Sequence, residues 1–460
     1  MAAGLVKIVG TLADYPARSL FTWYLGLVAA GTGLLLLPFC RPPGIEAFSL
    51  SEALFTAASA ASVTGLMVIS VESQLSFIGQ LVVLMLIQLG GLGVMSIGTL
   101  LFVSLTRRQP LQFRLLTSET LGAPLGANVG RLILMVLAVT LVVEAAGTLA
   151  LLLARIGDGP LPEVLWWAVF HSVSGFCNAG IGLQDSSLAP WSGDPAVVLS
   201  MAALIIAGGL GFPVLLDLFH LRREYRDRRS LRFHSRLVFT ATAILLAAGT
   251  AVFWVLERDG ALAGMHAPAA AMNAFFQSVT VRTAGFNTLP VEGFSNPALF
   301  VMMLLMIIGG SSCSTAGGIK VSTATVLALE ATATVRRRWQ TAAFRQRVPE
   351  RVLRTAAAVL SVYLLILGIG FMLLLVLEGH DTPHAEAGGD FLDLAFEAVS
   401  ALGTVGLSAD RTADLGEPAR LVVIAMMVLG RVGPLAMASL FLQSPKGPRI
   451  RYPESEVIVG

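Results

Sequence analysis

Eight stretches of this chain are long and apolar enough to cross a bilayer, and they limit its fold more than any other feature. They lie near residues 20–39, 75–105, 132–154, 196–219, 237–256, 297–329, 353–377 and 419–442. A helix needs about 20 apolar residues to cross a hydrocarbon core about 30 Å thick. Inside that core every backbone polar group needs an internal partner, so the spans must be helical. Charged residues are 13% of the 460, roughly half the share of a soluble domain. This excludes a disordered chain, a coiled coil and a nucleic-acid-binding module, and it argues against a soluble enzyme. The first apolar stretch is expected to be a retained span, because no small-residue cleavage site follows a compact apolar run.

Net charge is only +2, but its distribution is informative. Arg107, Arg108 and Arg114 follow the second span. Arg222, Arg223, Arg226, Arg228, Arg229, Arg232 and Arg236 separate the fourth from the fifth. A third group, Arg336, Arg337, Arg338, Arg345, Arg347, Arg351 and Arg354, separates the sixth from the seventh, and Lys446, Arg449 and Arg451 lie near the end. Positive loops are retained on the cytoplasmic side, so these linkers and both termini are expected there. The intervening loops carry acids, among them Asp158, Asp185, Asp381 and Glu386.

Between the spans lie four apolar segments too short to cross: 50–63, 163–177, 268–281 and 391–402. Each ends in a glycine-bearing tail: Ser62-Val63-Thr64-Gly65, Asn178-Ala179-Gly180-Ile181, Thr283-Ala284-Gly285-Phe286 and Thr404-Val405-Gly406-Leu407. The four glycines are 115, 105 and 121 residues apart. The fold class expected is therefore an all-α polytopic membrane protein made of four repeats. Each repeat is a span, a re-entrant pore helix and a second span, arranged with pseudo-fourfold symmetry about one pore. The repeats divide as 1–114, 115–232, 233–350 and 351–460. An even number of spans per repeat keeps all four in the same orientation.

Irregular backbone at membrane depth is tolerated where it is buried or lines a wet cavity. Four such tails around one axis would present rings of backbone carbonyls that replace the hydration shell of a monovalent cation. Glycine admits the positive φ that keeps successive carbonyls turned inward. The C-terminal ends of the short helices add partial negative charge at the same place.

On these motifs the chain resembles the membrane subunits of the Trk/Ktr/HKT potassium-transporter superfamily. The likeness runs from about residue 20 to 442 and is closer to Ktr B-subunits, because no extra span pair precedes the first repeat. The resemblance implies a K+ filter with one glycine per loop: Gly65, Gly180, Gly285 and Gly406. Carbonyls would come from Val63, Thr64, Asn178, Ala179, Thr283, Ala284, Thr404 and Val405. Glycine rather than serine at residue 65 implies potassium preference. No loop reads Thr-Val-Gly-Tyr-Gly, which implies fewer ordered ion sites than in a tetrameric potassium channel. The resemblance also implies a homodimer in the plasma membrane and a separate cytoplasmic nucleotide-binding ring, of the KtrA/TrkA type. Nucleotide would act only through that ring, and the resemblance leaves open whether Na+ is an activator.

The sixth span is interrupted by Gly309, Gly310, Ser311, Ser312, Cys313, Ser314, Thr315, Ala316, Gly317 and Gly318. Glycine and serine at this density break a helix. The segment is either a packing kink or, as the resemblance implies, a gating loop that obstructs the pore. Lys320 follows it and needs a polar setting. Arg431, in the eighth span, needs either carbonyl or ion-pair contacts or a place in the permeation path. Glu144 is expected to pair with a polar neighbour, the alternative being a proton or sodium path. His380 and His384 have metal-ligand spacing but no partner cluster, and Cys40, Cys177 and Cys313 are scattered. No nucleophile, metal or acid–base set points to an enzyme. A sodium- or proton-coupled carrier is the competing transporter. It would call for intramembrane acids and usually inverted repeats, and this chain offers parallel repeats and few such acids.

Overall fold

The computed structural model describes residues 16–93, 129–223, 232–312, 314–378 and 389–433. Arg107, Arg108, Arg114, Cys313, His380, His384 and the basic C-terminal residues lie outside them, as do both chain ends. The first repeat holds α1 (Pro16–Leu35), α2 (Leu50–Ser62) and α3 (Phe77–Gly91). The second holds α4 (Val129–Ala154), α5 (Leu161–Cys177), α6 (Pro195–Leu210) and α7 (Phe212–Arg223). The third holds α8 (Phe233–Glu257), α9 (Ala267–Thr280), α10 (Asn296–Ile307) and α11 (Val321–Val335). A two-stranded hairpin, β1 (Ala342–Ala343) and β2 (Gln346–Arg347), leads to the fourth, with α12 (Glu350–Glu378), α13 (Asp390–Gly403) and α14 (Glu417–Val432).

Among the described residues, three helical stretches are long and apolar enough to cross a membrane: 134–154 within α4, all of α8 and all of α12. Their outer faces remain apolar and exposed, as at Leu141, Ile244 and Leu365, which suits contact with lipid. The short helices α2, α5, α9 and α13 are nearly all buried along their second halves. α2 starts on a capping box: Glu52 N donates to Ser49 Oγ, and Ser49 N donates back to Glu52 Oε2.

Packing between repeats closes a ring. α3 lies on α5, α6 on α9, α10 on α13, and α14 returns to α2. Each second helix thus supports the pore helix of the next repeat. Within three of the repeats the second helix also meets its own pore helix at a glycine. A Cβ on Gly90, Gly208 or Gly430 would overlap the carbonyl oxygen of Ala61, Phe176 or Leu402, each four residues before a tail glycine.

The second helices differ from the sequence expectation in one respect. The sequence pattern puts a break in the sixth span alone. The structure also breaks the fourth, at Gly211 (φ 86), between α6 and α7. α3 and α14 likewise stop short, with Gly93 (φ 79) and Gly433 (φ 90) just past their ends. A left-handed glycine ends a helix cheaply, and each of these three stands close to a further glycine, two of them also before a proline, a signal the sequence expectation did not use.

Candidate functional site

The four tails share one backbone program. Val63 (φ 56), Asn178 (φ 59), Thr283 (φ 67) and Thr404 (φ 51) are left-handed, and each stands two residues before its glycine. Gly65 (φ 100), Gly180 (φ 67), Gly285 (φ 79) and Gly406 (φ 91) are left-handed too, while the residues between are not. Successive carbonyls of an ordinary extended strand point to opposite sides, and alternating handedness brings them to one side. Left-handed backbone at a β-branched residue such as Val63 is rare and strained, and it persists only where surrounding packing imposes it.

The tails meet in a closed ring. A Cβ on Gly65 would stand 2.5 Å from the Ala179 carbonyl oxygen, on Gly180 2.9 Å from that of Ala284, and on Gly285 2.5 Å from that of Val405. On Gly406 it would overlap the Thr64 carbonyl oxygen, which returns to the first repeat. All twelve residues anticipated for the ring are therefore on these four neighbouring strands. Among the described residues, none of the eight carbonyls from Val63, Thr64, Asn178, Ala179, Thr283, Ala284, Thr404 and Val405 accepts a hydrogen bond.

Sequence reasoning missed the hydroxyls that brace these strands. Ser59 Oγ accepts from Gly65 N and Ser400 Oγ from Gly406 N, both at 3.1 Å. Ser174 Oγ donates to the Ile181 carbonyl at 2.6 Å and Thr280 Oγ1 to that of Phe286 at 2.7 Å. The signal was available, since a serine stands six residues before three of the glycines and a threonine five before the fourth. Ser174→Ala leaves a buried carbonyl without its donor, at a cost of about 1–3 kcal/mol. It is expected to lower the melting temperature, read by thermal unfolding.

The interrupted span forms a loop against the start of the strands. Its base is clipped where Gly309 N donates to Ile319 O at 2.9 Å and Ile319 N to Ile307 O at 3.0 Å. Ser311 N reaches Gly209 O at 2.8 Å, and Thr315 Oγ1 reaches Phe176 O at 3.1 Å. A Cβ on Gly309 would stand 3.1 Å from Thr283 Cγ2, and one on Gly317 2.9 Å from Gly403 O. The loop therefore touches the second, third and fourth repeats. Arg431 adds the first, because its guanidinium donates both to Thr315 O and to Gly90 O at the end of α3. Arg431 makes carbonyl contacts and, among the described residues, no ion pair. Lys320 Nζ donates to Ala316 O at 2.6 Å. Glu144 meets a polar neighbour as expected, accepting from Gln88 Nε2 at 3.2 Å. Among the described residues no cluster of His, Cys, Asp and Glu is suited to a metal ion.

Known proteins share this architecture. The chain is 35% identical over 446 residues to Ktr system potassium uptake protein B of Vibrio alginolyticus, covering 96% of this chain and 94% of that protein. It is 33% identical to potassium/sodium uptake protein NtpJ of Enterococcus hirae, covering 97% of each. The crystal structure of the potassium transporter TrkH from Vibrio parahaemolyticus superposes with a TM-score of 0.71 over 92% of this chain and 83% of that one. At 20% identity, that last likeness bears on the fold alone. The multi-pass helical architecture agrees with a match to the TrkH cation transport protein profile over residues 42–450, and the chain belongs to that family.

Proposed function

We propose that this chain is the ion-conducting membrane subunit of a potassium uptake system, passing K+ passively through the ring of four glycine-bearing strands. The observation that carries this reading is the set of eight carbonyls that have no hydrogen-bond partner among the described residues, on strands in mutual contact. Buried carbonyls ordinarily have partners. Eight without them, at equivalent places in four repeats, suit a cation that has shed its water. A membrane potential supplies about 2.3 kcal/mol per charge per 100 mV, so no second coupled ion is required.

In this reading the loop of residues 309–318 closes the path at the inner end of the strands. The short helices enter from outside, and the arginine-rich linkers face the cytoplasm. A homodimer and a cytoplasmic nucleotide-binding ring complete the system, and the ring acts on the linkers. The relatives named for potassium uptake support the choice of ion, and the sodium in one relative's name suits Na+ as a second ion or an activator. The test is rubidium uptake by cells that lack other potassium uptake systems. Uptake that restores growth at limiting potassium is expected. Uptake that collapses with a sodium or proton gradient while the membrane potential is held would point to a coupled carrier instead.

Arg431→Gln removes a charge, one carbonyl contact to the loop and one to α3. The maximal rate is expected to rise about tenfold, since one charged hydrogen bond is worth about 1.5–3 kcal/mol. The order of preference among cations should be kept, because the guanidinium contacts the loop and α3 rather than the strands. Rubidium flux in proteoliposomes, competed with sodium, measures both.

A further inference from the structure

Three residues before the tail glycines stand Ser62, Cys177, Arg282 and Gly403, three small residues and one arginine. In the three small cases the pore helix runs up to that residue. In the third repeat α9 ends earlier, at Thr280, and Arg282 lies beyond it. Its side chain turns into the protein and the residue is only 8% exposed. Among the described residues no carboxylate forms an ion pair with it. Nη2 donates to the Gly309 carbonyl at 3.2 Å, and Nε has no partner.

A buried guanidinium without a counter-ion is expensive in a membrane protein. Arginine cannot escape by losing its proton. Nor is it placed to bind an anion. The cavity beside it, shared with Asn178, Thr242 and Gly310, measures about 20 Å³, which has room for roughly one water. What the charge does reach is the first carbonyl of the interrupted segment. α10 ends at Ile307, so the carbonyls at and just past its end need donors from outside the helix. Ile307 O receives Ile319 N, and Gly309 O receives Arg282. The residue after Arg282 is Thr283, whose left-handed backbone opens the third strand.

We propose that Arg282 is a positioning residue that latches the loop of residues 309–318 to the third strand and so holds the closed form. The proposal rests on the reading of that loop as the gate. Arg282 does not contribute to the ion path. It ties the fixed end of the loop to the strand, as Arg431 ties the loop's far side to α3. A change that weakens the latch shifts the population toward the open form by the lost differential contact.

The test is rubidium flux from proteoliposomes of the purified subunit, comparing Arg282→Gln with the unchanged chain, each with and without residues 310–317. Arg282→Gln is expected to raise flux about tenfold in the full-length chain, as loss of one charge-assisted hydrogen bond would. In the shortened chain the same substitution should change flux by less than about twofold, because partners acting through one element are not additive. Arg282→Lys keeps the charge but loses the planar fork, and should give an intermediate flux. It also serves where the glutamine variant does not fold. If the deletion raises flux but neither folded Arg282 variant does, the latch is wrong and the gate stands. If the substitution lowers potassium-over-sodium preference equally in both backgrounds, Arg282 braces the strand and is no latch. A deletion that leaves flux low overturns both.

Discussion

Deleting residues 310–317 is expected to give high potassium flux from the purified membrane subunit without any partner or nucleotide. The ends left behind are already neighbours, since Ile308 and Ile319 pair side by side. Among the described residues the loop is held mainly by hydrogen bonds, among them Ser311 N and Thr315 N on Gly209 and Gly208 carbonyls, Thr315 Oγ1 on Phe176, Val321 N on the Gly310 carbonyl, and three cationic side chains, Arg282, Arg431 and Lys320, on loop carbonyls. Small side chains bury little apolar area, so these hydrogen bonds dominate, at about 0.5–3 kcal/mol each. Such an element has the low local stability that opening needs. Flux should rise at least about a hundredfold if the closed form dominates in the unchanged chain. Selectivity should survive because the strands are untouched. A folded, monodisperse deletion variant with unchanged rubidium flux would show a packing kink and move the gate elsewhere.

Gly65→Ser is expected to lower potassium-over-sodium discrimination about tenfold, through strain on the order of 1–3 kcal/mol at a positive φ. The position offers no relief. Gly65 has φ 100, its N–H is held by Ser59 Oγ, and an added Cβ would stand 2.5 Å from the Ala179 carbonyl oxygen. The strand must therefore move, and it would push the second strand with it. Carbonyl spacing would change in two repeats, and a side-chain hydroxyl would join the ring. Gly26→Ser is the control, since nothing lies within 4 Å of a Cβ there. Permeability ratios from flux competition decide the matter. A Gly65→Ser ratio equal to that of the control would remove this glycine from any filter.

The helices show how local and distant information divide. The four short helices are legible because length alone separates them from spans. They fall at Leu50–Ser62, Leu161–Cys177, Ala267–Thr280 and Asp390–Gly403, within two residues of the apolar segments that mark them. The interrupted sixth span is equally legible, because glycine and serine fail locally to sustain a helix whatever packs around them. The break at Gly211 is marked less plainly: Gly208, Gly209, Gly211 and Pro213 stand within six residues, and Gly208 also serves the close approach to Phe176, so residue order alone does not say which glycine ends α6.

What this sequence determined by itself is its solvent, its fourfold repeat and the places where short helices give way to glycine-bearing tails, since apolar length, recurrence along the chain and glycine placement are all read from residue order. The tertiary structure alone decided which atoms meet. Gly90, Gly208 and Gly430 look like ordinary helix glycines until the Ala61, Phe176 and Leu402 carbonyls come against them. Arg282 reads as one more basic residue until Gly309, 27 positions away, presents its oxygen. Arg431 reaches Gly90 across 341 positions. A hydrogen bond or a close approach is a property of two distant segments brought to one place. No short window of the chain contains both partners, so only tertiary packing, within a repeat or between repeats, could specify them.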